Sequence, residues 1–315
     1  MNNASCITHV IFSGGGIKGL CYMGVLRYLY IEKLIDKIKH VAGTSIGAYF
    51  ALLLALKIPI DYLEEEISKS IKQFSENEMA VNKNNIGKLF CSNGLYNTDF
   101  LSKPIRDYLQ NKYGVDDLSY IEFVKKTGVN IYISCTSLNT VSNKVFSVES
   151  TPDISVIDTV MASLSIPFVF EPIYIDGEYY VDGVISGSLH VDNIFQDINN
   201  NNKIGFLLST SYKDEVEKCD IDTEFNFLTY TGRILQVILS KSLENPVEFN
   251  DVEKYFHIMK LGKLPYEKIV KFKIQDNEIY VDITVEDFDN LILKGFIEIT
   301  HYMNNRYKDK FIDIM

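Results

Sequence analysis

Apolar and polar positions along this chain switch between two periods, one suited to strands and one to helices. THVIFSG, residues 8–14, is mostly apolar, ends in glycine and predicts a buried strand. Leu20, Met23, Leu26, Leu29 and Leu34 then recur at helical spacing, predicting a helix from Ile17 to about Leu34. KHVAGTS, 39–45, reads as a second strand. IGAYFALLLALKI, 46–58, reads as a helix apolar on most sides, hence buried, and Pro59 stops it. A third helix is expected from a cap at Asp61 to about Gln73, with Glu64, Glu65 and Glu66 in the early turns that the helix dipole favours. Residues 74–98 are polar and Asn-rich, broken by Gly87 and Gly94, and read as a loop with short helical pieces.

Beyond this loop, Thr98 to Tyr113 is expected to be helical, with Pro104 in its first turns. VNIYISCTSL, 129–138, and KVFSVES, 144–150, read as strands, and ISVIDTVMASLSI, 154–166, as a helix. FEPIYIDGEYYVDG, 170–183, reads as a hairpin turning at Asp176-Gly177, and NKIGFLLST, 202–210, as a further strand. The remainder holds helical pattern, the β segment KFKIQDNEIYVDI and a closing helix from about Glu286. Alternating strands and helices imply an α/β fold with a mostly parallel central sheet flanked by helices. The expected organisation is one domain over 1–315, with a motif-bearing core at 8–196 and an α+β extension at 197–315 packed on it.

The loop closing the first strand, SGGGIKG at 13–19, fits G-x-G-x-x-G through Gly14, Gly16 and Gly19, a spacing associated with dinucleotide binding. That reading requires an acidic residue about 20 positions on, at the end of the second strand, to hold the ribose hydroxyls. Here the second strand ends in Thr44-Ser45, and Glu32 and Asp36 fall before it. A phosphate-binding P-loop fails as well, because Lys18 precedes a glycine rather than Ser or Thr. What remains is a run of bare backbone N–H groups at Gly14, Gly15 and Gly16, beside a strand that presents a serine. That is the composition of an oxyanion hole. Lys18 has two readings, a solvated residue at a helix start or a cation that meets an anionic group.

The serine lies in VAGTSIGAYF, which contains G-x-S-x-G as Gly43, Ser45 and Gly47. It follows a strand and opens a helix, the context a nucleophile elbow needs. Small residues at 43 and 47 allow a sharp turn that pushes Ser45 outward. The helix from Ile46 aims its N-terminal dipole at charge formed during attack.

These two motifs together resemble the patatin-like phospholipase family. ASLSIPFVFEP, 162–172, is similar to its A-S-x-x-x-P segment, YYVDGVISGSL, 179–189, to its Asp-Gly segment, and VEDFDNLILKGF, 285–296, to its closing helix. The resemblance implies a lipid acyl hydrolase with a Ser–Asp dyad, Ser45 as nucleophile and an aspartate of the Asp-Gly motif as base. Of two such pairs, Asp176-Gly177 suits a hairpin turn, and Asp182-Gly183 follows a strand at the family's position. Asp182 is therefore the expected base, with Gly183 supporting it, and Lys18, Gly19, Gly43 and Gly47 belong to the same set. Val184 stands where the family usually has Gly or Ala, and the usual Asn-Pro is replaced by SGSLHV. Both departures bear on the shape of the substrate loop.

Two other readings stay open. A histidine triad in the order Ser, Asp, His would use His257 or His301, since His9 and His40 precede strands and suit no base role. A non-catalytic lipid-binding protein could keep the same fold. The expected partners are a phospholipid or other lipid ester and, transiently, a membrane surface. Met79, Val81, Ile86, Leu89 and Phe90 of the 74–98 stretch mark a candidate lid or contact segment. The formal charge of −11 argues against broad nucleic-acid binding. No cofactor or metal is implied, since no ligand spacing or calcium-loop pattern occurs. The five cysteines, Cys6, Cys21, Cys91, Cys135 and Cys219, are scattered and suggest buried free thiols in a reducing compartment. The polar start lacks a signal-peptide pattern, and the longest apolar run, Ile46 to Leu56, is shorter than the ~20 residues of a membrane span. The expected location is cytoplasmic, with peripheral membrane contact; the oligomeric state is left open.

Overall fold

A computed structural model describes residues 7–73, 91–187, 195, 202–208, 237, 256–259, 271–275, 278–282 and 285–307. Its spine is a mixed sheet in the order β10-β9-β1-β2-β4-β8-β7, with β5 added beside β4. The strands are β1 (His9–Phe12), β2 (His40–Thr44), β4 (Asn130–Ser137), β5 (Ser142–Phe146), β7 (Ile173–Ile175), β8 (Glu178–Asp182), β9 (Lys203–Leu208) and β10 (Phe256–Met259). The pairs from β10 to β4 are all parallel, as the alternating pattern predicts. From β4 outward the pairing turns antiparallel, because β5, β7 and β8 belong to hairpins with short turns. The β7–β8 turn is Asp176-Gly177, with both residues at positive φ, the backbone a two-residue hairpin needs.

Both faces of the parallel part are covered. Val10 and Phe12 of β1 join the main core, and Ile11, of opposite parity, is buried as well. A strand covered on both faces has no polar side to show, which is why VIF, 10–12, reads as unbroken apolar sequence. Helix α1 (Tyr22–Ile31) is preceded by a 3-10 turn (Gly16–Cys21), where the apolar spacing predicts a continuous α-helix. Helix α2 (Ile46–Leu56) is buried along Gly47–Leu56 and packs on β1, β2 and β4, which accounts for its lack of a polar face. Next come α3 (Ile60–Gln73), α4 (Asp99–Tyr113), α5 (Tyr120–Thr127) and α6 (Val156–Leu164), the last lying against α2, β4 and β8.

Two small sheets complete the strands. β3 (Gly94–Tyr96) pairs with β6 (Phe168–Phe170), and β11 (Lys271–Gln275) with β12 (Glu278–Asp282). The sequence pattern places Gly94–Tyr96 in a loop; three residues are too few to show a period, and their partner lies more than 70 positions away. The candidate lid residues Met79, Val81, Ile86, Leu89 and Phe90 lie outside the described residues.

The closing helix α7 (Val285–Tyr307) packs against α1 and its preceding turn. The contact is between backbones. A methyl on Gly24 would overlap the Ile292 carbonyl and the Phe296 nitrogen, and one on Gly295 would overlap the Cys21 carbonyl. Glycine is required there for close approach, and the contact anchors the segment that leads out of the glycine loop. Gly24→Ala and Gly295→Ala are each expected to cost about 1–3 kcal/mol of unfolding free energy in urea titrations. Unchanged midpoints would mean that the helices have room to part.

Candidate active site

The site is assembled on one strand. Ser134 of β4 pairs with Thr44 of β2 and with Val145 of β5, and Cys135 pairs with Asp182 of β8 and with Lys144 of β5. Since β5 occupies one edge of β4 along this stretch, β2 and β8 share the other edge, end to end. They run in opposite directions, so both C-terminal ends meet beside the Ser134–Cys135 peptide. Ser45 follows Thr44 directly and so faces Asp182 across the join.

Ser45 sits on a sharp turn with φ 55° and ψ −130°, a left-handed backbone that costs a non-glycine residue energy and marks a position held by its surroundings. Both flanking glycines are needed for close approach. A Cβ on Gly43 would strike the Gly47 carbonyl, and one on Gly47 would lie 2.5 Å from the Ser13 carbonyl oxygen. Helix α2 starts at once, and the Ser45 carbonyl accepts from the Ala48 N–H at 2.8 Å. The turn is also tied from behind. The Ser45 N–H donates to Ser163 Oγ at 2.7 Å, and Ser163 Oγ donates to the Ser134 carbonyl at 2.7 Å. This buried hydroxyl from α6 therefore links the elbow to β4.

Ser45 Oγ donates to Asp182 Oδ2 at 2.6 Å, with no imidazole between them. The other carboxylate oxygen, Oδ1, accepts from the Val184 N–H at 2.9 Å. Behind Asp182, Thr136 Oγ1 donates to its carbonyl at 2.8 Å, and its own N–H donates to the Ser165 carbonyl at 2.9 Å. Asp182 is 1% exposed. Burial is the largest influence on its carboxyl and pushes its pKa from 3.8 up to about 7, against the opposing pull of the Ser45 and Val184 hydrogen bonds. Gly183 has no room for a side chain, since a Cβ would overlap the Ser134 carbonyl and lie 2.9 Å from Thr44 Cγ2.

The glycine loop lies against both halves of this arrangement. A Cβ on Gly14 would sit 2.5 Å from Val184 Cγ2 and 3.3 Å from Ser45 Cβ, so the loop passes between the Asp182 turn and Ser45. Val184, the departure noted in the sequence, is thus packed on Gly14. Gly16 has φ 54°, and Gly19 leaves space filled by Ile46 at the start of α2. Among the described residues, neither the Gly14 nor the Gly15 N–H donates to a backbone carbonyl. Lys18 is 5% exposed, which rules out a solvated side chain at that position.

The histidines of the described residues lie elsewhere. His9 and His40 begin β1 and β2, at the opposite end of the strands, and their rings stack with centroids 4.3 Å apart. His301 is exposed on α7. His257 is on β10, paired through its backbone with Phe206 of β9. Among the described residues, no group of His, Cys, Asp or Glu is placed to hold a metal ion.

The sequence profile of the patatin-like phospholipase family matches residues 10–193, more than half of the chain. The chain belongs to that family. A probable lipid hydrolase of Invertebrate iridescent virus 6 is 24% identical over 263 residues, covering 80% of this chain and 88% of the viral protein. Triacylglycerol lipase 5 of Saccharomyces cerevisiae is 29% identical over 172 residues, 52% of this chain but 22% of the yeast protein. Among solved structures, VipD from Legionella pneumophila superposes with a TM-score of 0.55 at 16% identity, covering 95% of this chain and 67% of VipD, a likeness of fold.

In this patatin-like chain, sequence reading missed Ser163 as a tether of the elbow, although it lies in the quoted A-S-L-S-I-P segment. It also missed Thr136, which becomes visible only through strand register. Ser163→Ala would leave the buried Ser45 N–H without its acceptor and is expected to cost about 1–3 kcal/mol in urea unfolding. An unchanged midpoint would show that the tether is dispensable.

Asp182 yields a second expectation. On unfolding, its carboxyl returns to an ordinary value near 3.8, whereas in the fold it keeps its proton up to about 7. Its contribution to stability is therefore full below 3.8 and is lost as pH rises to about 7. Asp182→Asn, which cannot ionise, should gain in Tm relative to the parent between those values. A Tm difference that stays constant with pH would contradict this.

Proposed function

We propose that this patatin-like chain is an acyl-ester hydrolase of phospholipids or related lipid esters, with Ser45 as nucleophile and Asp182 as general base. One observation carries the reading: a serine on a strained strand-to-helix turn donates a 2.6 Å hydrogen bond to a carboxylate whose pKa burial has moved to about 7. A base of that strength, already in contact, is half ionised near neutral pH and can take the serine proton as attack begins.

Asp182 accepts the Ser45 proton while Oγ bonds to the ester carbonyl carbon. The carbonyl oxygen becomes an oxyanion held by the N–H groups of Gly14, Gly15 and Gly16, with the N-terminal end of α2 adding favourable dipole. When the tetrahedral species collapses, Asp182 returns its proton to the departing alcohol, leaving an acyl-Ser45 ester. Water then gives a proton to Asp182, attacks that ester and releases the fatty acid, restoring the serine. Lys18, buried in the glycine turn, is assigned a supporting place beside the anionic group of the substrate.

A lipid substrate is supported by family membership and by relatives named as a lipid hydrolase and a triacylglycerol lipase. The substrate comes from a membrane or micelle, and we place the enzyme on the cytoplasmic side as a peripheral protein. Among the described residues, no helix is long and apolar enough to cross a membrane.

A fluorophosphonate probe is expected to label the wild type and not Ser45→Ala. Asp182→Asn should lower kcat/KM for a p-nitrophenyl ester by about 10²–10⁴-fold. For the wild type, log kcat/KM should rise by about one per pH unit up to about 7 and level off above it, since the ionised carboxylate is the active form. His257→Ala and His301→Ala should keep wild-type rates. Inactivity of either to the level of Ser45→Ala would replace the dyad with a triad, and an unlabelled but folded wild type would sink the hydrolase.

A further inference from the structure

Four large apolar side chains project from the hairpins that continue past the site. Leu138 and Val141 form the ends of the four-residue β4–β5 turn, and Tyr174 and Tyr179 lie opposite each other on β7 and β8. They are 50%, 87%, 62% and 47% exposed. The two tyrosine rings are 4.9 Å apart, and the Leu138 N–H donates to the Tyr179 carbonyl at 2.9 Å, so the two hairpins form one surface.

Their position follows from the strand register. β2 stops at Thr44, opposite Ser134, and Ser45 opens at that edge of the parallel sheet. β4 runs on past this edge, so Leu138, four residues beyond Ser134, stands about 13 Å further out. The patch therefore overhangs the side of the sheet from which Ser45 is reached.

Its residues also go against the needs of the fold. Val141 is β-branched with φ 51° at an exposed point of the turn, where Asn or Gly would sit without strain. Phe168, three residues past the Ser165 carbonyl that holds the Asp182 N–H, repeats the combination with φ 69° and 40% exposure. An apolar side chain that strains the backbone in order to face water serves something other than folding.

We propose that Leu138, Val141, Tyr174 and Tyr179 are the surface by which the protein docks on a zwitterionic lipid bilayer. The proposal rests on the lipid-ester reading above. Tyrosine beside aliphatic side chains suits the zone between headgroups and acyl chains. The four side chains carry no charge, Asp176 stands at the neighbouring turn, and the chain is −11 overall, so an anionic bilayer would repel it. Docking here would set the Ser45 side of the sheet toward the layer that holds the substrate.

The test is sedimentation with sucrose-loaded phosphatidylcholine vesicles, comparing the wild type with Leu138→Ser/Val141→Ser/Tyr174→Ser. The triple variant should lose at least tenfold in partition coefficient while p-nitrophenyl butyrate turnover stays at the wild-type rate. Val141→Asn alone, which relieves the positive φ, should raise Tm and still weaken partition. Equal partition of wild type and variants, or a wild type that stays with the supernatant, overturns the proposal. So does a wild-type dimer that the triple variant turns into a monomer, since the patch would then bind a second copy. Weakened partition with no ester cleaved by either protein supports the docking surface and refutes the hydrolase instead.

Discussion

The arrangement around Ser45 depends on a constraint of strand pairing: one edge of β4 is shared by two strands that arrive from opposite directions. A strand residue has two edges and can pair on each. With β5 on one edge, β2 and β8 must divide the other, and their C-terminal ends meet where Thr44 and Asp182 face Ser134 and Cys135. Residues 137 positions apart thereby come within a hydrogen bond of 2.6 Å without any long side chain having to reach. A short side chain on rigid backbone loses little freedom when it is held, which suits a group that must already be placed when substrate arrives.

Closeness alone would not fit Asp182 for the role of base proposed above. Its raised pKa comes from burial, and burial of a carboxylate costs stability, so the surroundings must compensate. They do so through neutral donors, the Ser45 hydroxyl and the Val184 N–H, rather than through a cation. A lysine or arginine in contact would have lowered the pKa. Hydrogen bonds to its backbone from Thr136 and onto Ser165 hold the residue without stabilising its charge. The elbow follows the same logic, since Ser45 is held through its backbone N–H by Ser163, leaving its hydroxyl free for Asp182.

Much of the fold was legible in sequence because its signals are local. HVIF and HVAGT read as buried strands and the 46–58 run as a buried helix, because covering on all sides leaves few polar positions. The elbow was legible for a related reason: a strand, a small-Ser-small turn and an apolar helix occupy consecutive residues. Other features were hidden because their partners are distant. The β3–β6 pair joins three-residue strands with no period of their own, and Gly24 and Gly295 acquire meaning only when α7 lies on α1.

The sequence by itself determined which residues carry the chemistry-bearing motifs: glycines at 14 to 16, a serine at 45 between glycines, an aspartate at 182 before a glycine. Each of these rests on backbone conformation within a few residues, and residue type governs that directly. Tertiary structure decided how they stand to one another. The register of β4 sets Ser45 against Asp182, burial sets the carboxyl near 7, Ser163 reaches the elbow from another helix, and Val184 packs on Gly14 beside Ser45. Spacing along a chain does not encode distance across a sheet, and no sequence pattern states how much water a folded chain excludes from one side chain.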